Sequence, residues 1–468
     1  MTANASSAVR PTVSTITATA IVVADMVGVG VFTSLGFQVK DIASGFSLLL
    51  LWVVGGIVAL CGAAAYSELA GMFPRSSGEY NFLTRSYHPA IGFLAGWLSA
   101  TVGFAAPIAL ATMAFGRYFR AAVPELPTLD YRITIPWPRM FELAITWELL
   151  LGLAVAWLVT VVHLRGIRSG SIFHNVSTVL KLALIVAFLV AGATYANPQP
   201  ISFAPSAADF GYVVSAPFAI SLVFVMYSYS GWNAATYIAG EIRDPQRSLP
   251  RALICGTLIV LAIYVALNAV FLYTTPMSEL AGQIQVAAVA GRHMFGEMGG
   301  RAVAALICFG LVSSISAMMW IGPRVTMTMG EDIPMLRIFA RTSKAGVPTT
   351  AILFQILIVN LLMFSQSFEA VLEFVQFSLT ACSFLAVLGV IKLRYTHPDL
   401  PRPYRAWGYP VTPVIFLAVT GFMMYYLVND RPVESLSGFG MMLAGLAIYG
   451  VSQFMHSSPT TVQNVNRA

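Results

Sequence analysis

Gly28-Val29-Gly30 and Ser228-Tyr229-Ser230-Gly231 interrupt two long apolar runs about two hundred residues apart. Where a helix restarts near Val29, Gly30 and Val31, several N–H groups have no partner within the helix, and the helix dipole adds partial positive charge. An anion such as an α-carboxylate is stabilised there, and Gly28 and Gly30 let it approach the backbone closely. The second interruption does the complementary work: carbonyls released around Tyr227, Ser228 and Ser230 accept hydrogen bonds from an ammonium group, with Asn233 following in the same stretch. The competing reading is that Gly28 and Gly30 only permit tight helix packing.

Among the charges inside apolar runs, where an unpaired charge is expensive, Lys181 and Asp25 are the most informative. Lys181 lies midway along its run, far from either end, so it needs a cavity or a partner. Asp25 lies three residues before Gly28, on nearly the same helix face as the interruption. It can pair with Lys181, take up a proton or favour a cationic amine; pairing with Lys181 is the preferred reading. Glu68, near the end of the second run, reads as a helix-end cap or an ion-pair partner of Arg75 or Arg85.

The elements that position these groups are membrane helices. Of 468 residues, 57% are hydrophobic and 10% charged, and mean hydropathy is +0.77, whereas a soluble domain carries about 25% charged residues. Twelve apolar runs are expected to span, at 14–36, 46–72, 91–120, 144–164, 169–194, 213–239, 251–273, 299–326, 347–365, 369–391, 411–429 and 437–455. An interruption at membrane depth leaves backbone groups that lipid cannot satisfy, so each must line a cavity or contact protein. Breaks in the first and sixth runs have the offset of two inverted five-helix copies, with a substrate site between them. The first run is too long for a signal-peptide core and has no clear cleavage site, so it is expected to stay as a helix.

With the N-terminus inside, seventeen Lys and Arg fall on the cytoplasmic side and eight outside, which puts both termini in the cytoplasm. That bias accounts for the basic pI of about 9.1, so no nucleic-acid partner is implied. Cys61, Cys255, Cys308 and Cys382 all fall within runs, without zinc-ligand spacing. His88, His163, His174, His293, His397 and His456 are scattered, no H-E-x-x-H or P-loop pattern is present, and neither an enzyme, a cofactor nor ATP-driven pumping is indicated. The stretch 275–300 can hold a short external helix, and the Pro- and Arg-rich stretch 392–410 reads as an extended cytoplasmic linker.

Gly28-Val29-Gly30-Val31-Phe32 resembles the first-helix motif of the amino acid–polyamine–organocation superfamily. Tyr66-Ser67-Glu68-Leu69 with Phe73-Pro74-Arg75-Ser76-Ser77-Gly78-Glu79-Tyr80 is similar to its second-to-third-helix signature. Gly231-Trp232-Asn233, Gly240-Glu241-Ile242-Arg243-Asp244-Pro245, Leu249-Pro250-Arg251-Ala252 and Arg402-Pro403-Tyr404-Arg405-Ala406-Trp407-Gly408-Tyr409-Pro410 resemble segments of its L-amino-acid-transporter branch, in consistent order from about Thr12 to about Pro410.

The resemblance implies an all-α polytopic membrane protein with twelve helices, the LeuT-type five-plus-five inverted repeat and two peripheral helices. The expected divisions are a cytoplasmic tail at 1–12, a ten-helix core at 13–393, a linker at 394–410, helices eleven and twelve at 411–456, and a second tail at 457–468. It implies that Tyr227 is the aromatic gate over the substrate and Ser230 a small residue beside it. Lys181 would stand where sodium-coupled relatives hold an ion, so transport would be independent of sodium. Side-chain selectivity would come from Ser99, Ala100, Thr101, Gly103 and Phe104, and from Ser313, Ser314, Ser316 and Met318. Phe104 replaces an amide-bearing residue of arginine-exchanging relatives and favours neutral side chains. Asp25 departs from the uncharged polar residue usual at its position.

The function so implied is a sodium-independent secondary permease that moves L-amino acids, neutral ones favoured, across the plasma (inner) membrane by alternating access, with exchange, proton symport and uniport all open. Polyamine or other organic-amine carriage, a transporter-like receptor and a channel are the alternatives. The stretch between Phe119 and Phe141 has no cysteine, so a disulfide-linked helper subunit is not expected.

Overall fold

The structure, a computed structural model, describes residues 13–135, 141–195, 197–364 and 368–457. The expected tail at 1–12, residues 458–468 of the expected tail at 457–468, with Arg10 and Arg467, and Arg139 lie outside the described residues.

The chain folds into helices α1 Thr15–Met26, α2 Val29–Gln38, α3 Gly45–Met72, α4 Glu79–Ser86, α5 Pro89–Leu98, α6 Ala105–Ala122, α7 Trp147–Leu164, α8 Ile167–Ala193 and α9 Asp209–Val213. There follow α10 Ala216–Tyr229, α11 Pro245–Thr274, α12 Met277–Leu280, α13 Val286–Asp332, α14 Thr349–Phe364, α15 Phe368–Thr396, α16 Val411–Asp430 and α17 Pro432–Ser457. Among the described residues, ten helical segments are long and apolar enough to cross a membrane. Two expected runs fall short for local reasons: α10 stops after 14 residues at the second interruption, and α14 has only 16.

Residues with weak periodicity and high apolarity make these helices, so burial is decided by packing between helices rather than by one amphipathic stripe. Broken α1–α2 lies centrally: 83% of its apolar window is buried, against 22% for α17. Around it α3 packs on α11, α6 and α8 pack on α13, and α15 packs on α16 and α17. Each broken segment is therefore held by protein, as unpaired backbone at membrane depth requires.

Two of the connecting stretches carry structure of their own. An antiparallel hairpin, β1 Asp130–Ile135 with β2 Phe141–Thr146, pairs Asp130 with Thr146 and Ile135 with Phe141. Its period-two alternation was hidden by the apolar run that follows directly in α7. In the 275–300 stretch, α12 and the first part of α13 precede a kink at Gly296, where φ is 71°.

The linker is less free than its composition implies. Fully buried Glu68 receives Arg394 Nη2 at 2.5 Å and Nε at 2.9 Å, and the Ala406 N–H at 2.8 Å. Arg402 Nε lies 3.4 Å from Glu68 Oε1. Arg75, the partner expected for Glu68, instead forks onto Asp332 at 2.8 and 3.0 Å. The reason is reach: α15 and the linker bring two guanidinium groups back over the end of α3, and a buried carboxylate needs such compensation.

Candidate functional site

The first interruption is a real break. Val27 (φ −74°, ψ 78°) and Gly28 (φ −117°, ψ −150°) leave helical geometry between α1 and α2. Gly28 N–H turns back to Met26 O at 2.7 Å, which frees carbonyls that α1 would otherwise use. Lys181 reaches across from α8 to collect them, donating from Nζ to Ala24 O at 2.9 Å, Val27 O at 2.6 Å and Ser314 Oγ at 3.2 Å. Ser314 of α13 adds a bond to Val27 O at 3.1 Å. A buried ammonium with its three donors so placed fixes the shape of the break.

The second interruption begins at Ser230 (φ −55°, ψ 145°) and continues through Gly231 at φ 98°, a backbone conformation that only glycine adopts without strain. A 3-10 helix, Ala234–Glu241, follows. Two of the carbonyls expected to be free here, those of Tyr227 and Ser228, are engaged. Tyr227 O accepts both the Ser230 N–H at 3.0 Å and the Ser230 hydroxyl at 2.6 Å. Ser228 O accepts from the Tyr264 hydroxyl at 2.8 Å.

The two breaks lie against each other and run in opposite directions. An ideal Cβ on Gly30 would meet Ser228, and one on Gly231 would meet Asp25 Oδ2. Further along, Ser34 Oγ bonds Phe224 O at 3.3 Å and Ser228 Oγ at 3.1 Å. At the other end, Val13 N–H bonds Glu241 O at 3.0 Å. Tyr264 of α11 bridges them, with its hydroxyl in hydrogen-bond contact with both Met26 O and Ser228 O. Its single proton serves one carbonyl at a time. Tyr264→Phe is expected to lower the thermal midpoint of the purified protein, because one buried carbonyl loses its donor; an unchanged midpoint would show that the breaks need no such tie.

A cavity opens beside the breaks. Its polar face holds Asp25, Glu79, Ser230, Asn233 and Gln376, and its apolar face Phe104, Met318, Leu379 and Phe416. Phe104 follows a π-helical turn, Ser99–Gly103, that interrupts the span formed by α5 and α6. That turn places Ser99, Gly103 and Phe104 together on the wall. The Phe104 ring meets Tyr237 edge-on, 5.1 Å between centroids.

Of the residues singled out from sequence, Asp25, Ser230, Asn233, Phe104 and Met318 line this cavity. Gly28, Val29, Gly30 and Val31 are buried at the start of α2, where no side chain caps the helix. Tyr227 is 3% exposed and does not line the cavity, and neither do Ser228, Ala100 or Ser316. Ser316 is turned to the other side of α13, where His163 Nε2 holds its hydroxyl at 2.9 Å; Ser313 likewise meets Thr178 at 3.1 Å.

The preferred pairing of Asp25 with Lys181 is not made. Lys181 Nζ is directed to the Ala24 and Val27 carbonyls, and Asp25 Oδ1 has no hydrogen-bond partner. Carbonyls freed by a break compete for the ammonium more effectively than a carboxylate one residue further along, because they converge on it from one turn.

Glu79 is the cavity-lining carboxylate that sequence reading undervalued. It is 2% exposed, and its Oε1 accepts from Tyr66 at 2.5 Å, Ser383 at 3.0 Å and Asn233 at 3.4 Å. Its position just after a Pro- and Gly-containing loop gave it the pattern of a solvated helix start. Gln376 carried a clearer signal, an amide inside an apolar run.

Apolar helices of spanning length packed around two touching breaks, with a half-polar cavity beside them, define a polytopic membrane protein of the carrier type. The chain belongs to the amino acid permease family, whose model matches residues 13–452, within the amino acid–polyamine–organocation superfamily. It is similar to the b(0,+)-type amino acid transporter 1 of Rattus norvegicus, 25% identical over 96% of this chain and 88% of that one. The Large neutral amino acids transporter small subunit 2 of Mus musculus is 24% identical over 97% and 83%. The Serine/threonine exchanger SteT of Bacillus subtilis (strain 168) is 25% identical over 92% and 94%.

Proposed function

We propose that the chain is a sodium-independent permease that moves L-amino acids with neutral side chains across the plasma membrane by alternating access. The observation that carries this reading is Lys181 Nζ bound to Ala24 O and Val27 O across the first break. A fixed ammonium there supplies the cation that a bound metal ion would otherwise supply. The opposed course of the two breaks supports a five-plus-five inverted repeat, and α14 and the α10 segment bring the ten long helices to twelve spans with both termini cytoplasmic.

In the proposed pose the substrate carboxylate meets the uncapped start of α2 at Val29, Gly30 and Val31. Its side chain lies against Phe104 and Met318, and Tyr227 closes over it during the cycle. Lys181 and Asp25 are the groups through which coupling to a proton or to a counter-substrate would act. The printed names of the relatives, a large neutral amino acids transporter and a serine/threonine exchanger, support neutral substrates and exchange. Because the 119–141 stretch has no cysteine, a helper subunit, if bound, is held without a disulfide.

The carboxylate assignment is tested by competition. Leucine methyl ester should inhibit leucine uptake at least about tenfold less well than leucine itself, since a charged hydrogen bond is lost. Equal inhibition would remove the anion site from the start of α2. The second reading, a carrier of polyamines or other organic amines, is favoured by the two carboxylates in the cavity wall.

A further inference from the structure

A second cavity lies beyond the first along the same two helices. On α6, Phe104 and Pro107 line the first cavity and Met113 and Arg117 the second; on α15, Gln376 lines the first and Phe368 the second. At about 1.5 Å per helical residue, Arg117 stands roughly 15 Å further along α6 than Pro107, toward the outer side in the proposed topology. Phe368 stacks its ring on Phe37, 6.1 Å between centroids, and Phe37 stacks on Phe224 at 5.0 Å. Phe224 lies two residues before Met226, which lines the first cavity, so this ring stack reaches from one cavity toward the other. The second cavity also takes in Glu148 from the start of α7 and Met363 from the end of α14.

Arg117 is the unusual group in that wall. On the same side of the molecule, Arg120 lies 3.4 Å from Glu148, Arg132 3.1 Å from Asp130, Arg292 3.2 Å from Glu297 and Arg431 3.2 Å from Glu373, and Arg301 is bonded to Glu125. Exposed Arg117 has no ion-pair or hydrogen-bond partner among the described residues. Competition for one carboxylate accounts for this. Arg117 and Arg120 are three residues apart on α6 and share a helix face, and Glu148 is the acid that α7 brings against it. The approach is close, since an ideal Cβ on Gly116 would lie 2.7 Å from Glu148 Cα. Glu148 is taken by Arg120, and Arg117 leaves the cavity with one uncompensated positive charge. Apolar neighbours such as Met113, Met363 and Phe368 focus the field of that charge into the cavity.

We propose that Arg117 docks the carboxylate of an incoming amino acid in this outer cavity, before the ring stack opens and admits it to the site between the breaks. A guanidinium fork matches a carboxylate with two parallel N–H donors. The cavity, its open mouth included, holds about 800 Å³, within the range of about 300–1,000 Å³ usual for small-molecule sites. For the identity of the cargo the proposal rests on the permease reading. A lipid phosphate has the same chemistry as far as the fork is concerned, and the experiment separates the two sources.

The test follows modification of individual arginines by phenylglyoxal with peptide mass spectrometry, on the full chain in nanodiscs of phosphatidylcholine. L-Leucine and 4-methylpentanoate at saturation should slow modification of Arg117 about fivefold or more, the size of a solvent-reachable ion pair. 3-Methylbutylamine, which lacks the carboxylate, should not slow it, and Arg292, paired outside the cavity, should respond to none of the three. Protection by 4-methylpentanoate should persist in folded Gly30→Ala, because the outer cavity does not include the breaks. In proteoliposomes, Arg117→Gln should lower kcat/KM for outside leucine about fivefold, mainly through KM, Arg117→Lys should recover part of the loss, and Arg292→Gln should have no effect.

Normal leucine uptake by a parental protein whose Arg117 is not protected would overturn the docking site and leave the permease reading intact. Protection by 3-methylbutylamine equal to that by 4-methylpentanoate, loss of protection in Gly30→Ala, or an equal effect of Arg292→Gln would also overturn it. So would protection that appears on adding phosphatidylglycerol alone and is not increased by either carboxylate, since Arg117 would then hold a lipid headgroup. Carboxylate protection of Arg117 in a protein that takes up no amino acid would keep the anion site and remove the permease reading.

Discussion

Lys181→Ala is expected to lower amino-acid uptake in sodium-free proteoliposomes about a hundredfold. The ammonium is the shared donor for Ala24 O, Val27 O and Ser314 Oγ. Removing one partner of a buried charged network leaves the others desolvated and unpaired, at about 3 kcal/mol, which is about two powers of ten in a rate if it falls on the transport cycle. The same loss should let the break between α1 and α2 relax, so the thermal midpoint should drop as well. Lys181→Arg is not a conservative control, because a planar guanidinium cannot converge on two carbonyls and a hydroxyl arranged around a point charge. Normal uptake by Lys181→Ala in sodium-free buffer would remove the basis for sodium independence.

Gly30→Ala should be comparably damaging for a different reason. An ideal Cβ at Gly30 lies 2.4 Å from Ser228 Oγ, 2.6 Å from Ser228 Cα and 2.7 Å from Ser228 Cβ. A hydroxyl can rotate away, but a backbone Cα cannot, so α2 must separate from α10 at the point where the breaks touch. Overpacking of that kind costs about 1–3 kcal/mol, and here it pushes the two breaks apart. Uptake by the folded variant should fall to between about a fifth and about a hundredth of the parental rate, the same energy expressed as a rate. Gly28→Ala is the internal comparison: its nearest neighbour, Ser314 Oγ, lies at 3.6 Å, so the added methyl is tolerated sterically. Equal transport by both variants and the parent would contradict the close approach of the breaks.

Much of this architecture was legible from the chain because membrane helices announce themselves by length and apolarity. The break at Gly28 and the break after Tyr229 were readable for the same reason, since a polar or glycine interruption inside an apolar run has few physical explanations. Lys181 was legible as a charge with no route to the surface, although its target was not: sequence offers Asp25 as the obvious counter-ion, whereas the freed carbonyls exist only once the helix has broken. Glu68 shows the same limit. Its partners come from Arg394 and Arg402, more than three hundred residues away in the chain, and local spacing pointed to Arg75 instead.

The cavity wall was read in part. Phe104 and Met318 were found, but Ala100 was not separated from Phe104, because a π-helical turn at Ser99–Gly103 shifts the faces of that span by one residue, and Ser316 on α13 is drawn to His163 instead. Periodicity analysis assumes an unbroken 3.6-residue repeat and assigns the wrong neighbours after such a turn. Glu79 was passed over because it follows a polar loop, although the fold carries it inward to Tyr66 and Ser383.

The central claim is that this chain carries amino acids through the site between its two breaks without sodium. The most direct measurement is uptake of a panel of labelled L-amino acids into proteoliposomes in sodium-free buffer, with and without internal amino acid and at matched and stepped pH. Saturable uptake of neutral amino acids is predicted, accelerated either by internal substrate or by an inward proton gradient, and abolished in Lys181→Ala. Uptake that appears only when sodium is added, or no uptake of any amino acid, would contradict it.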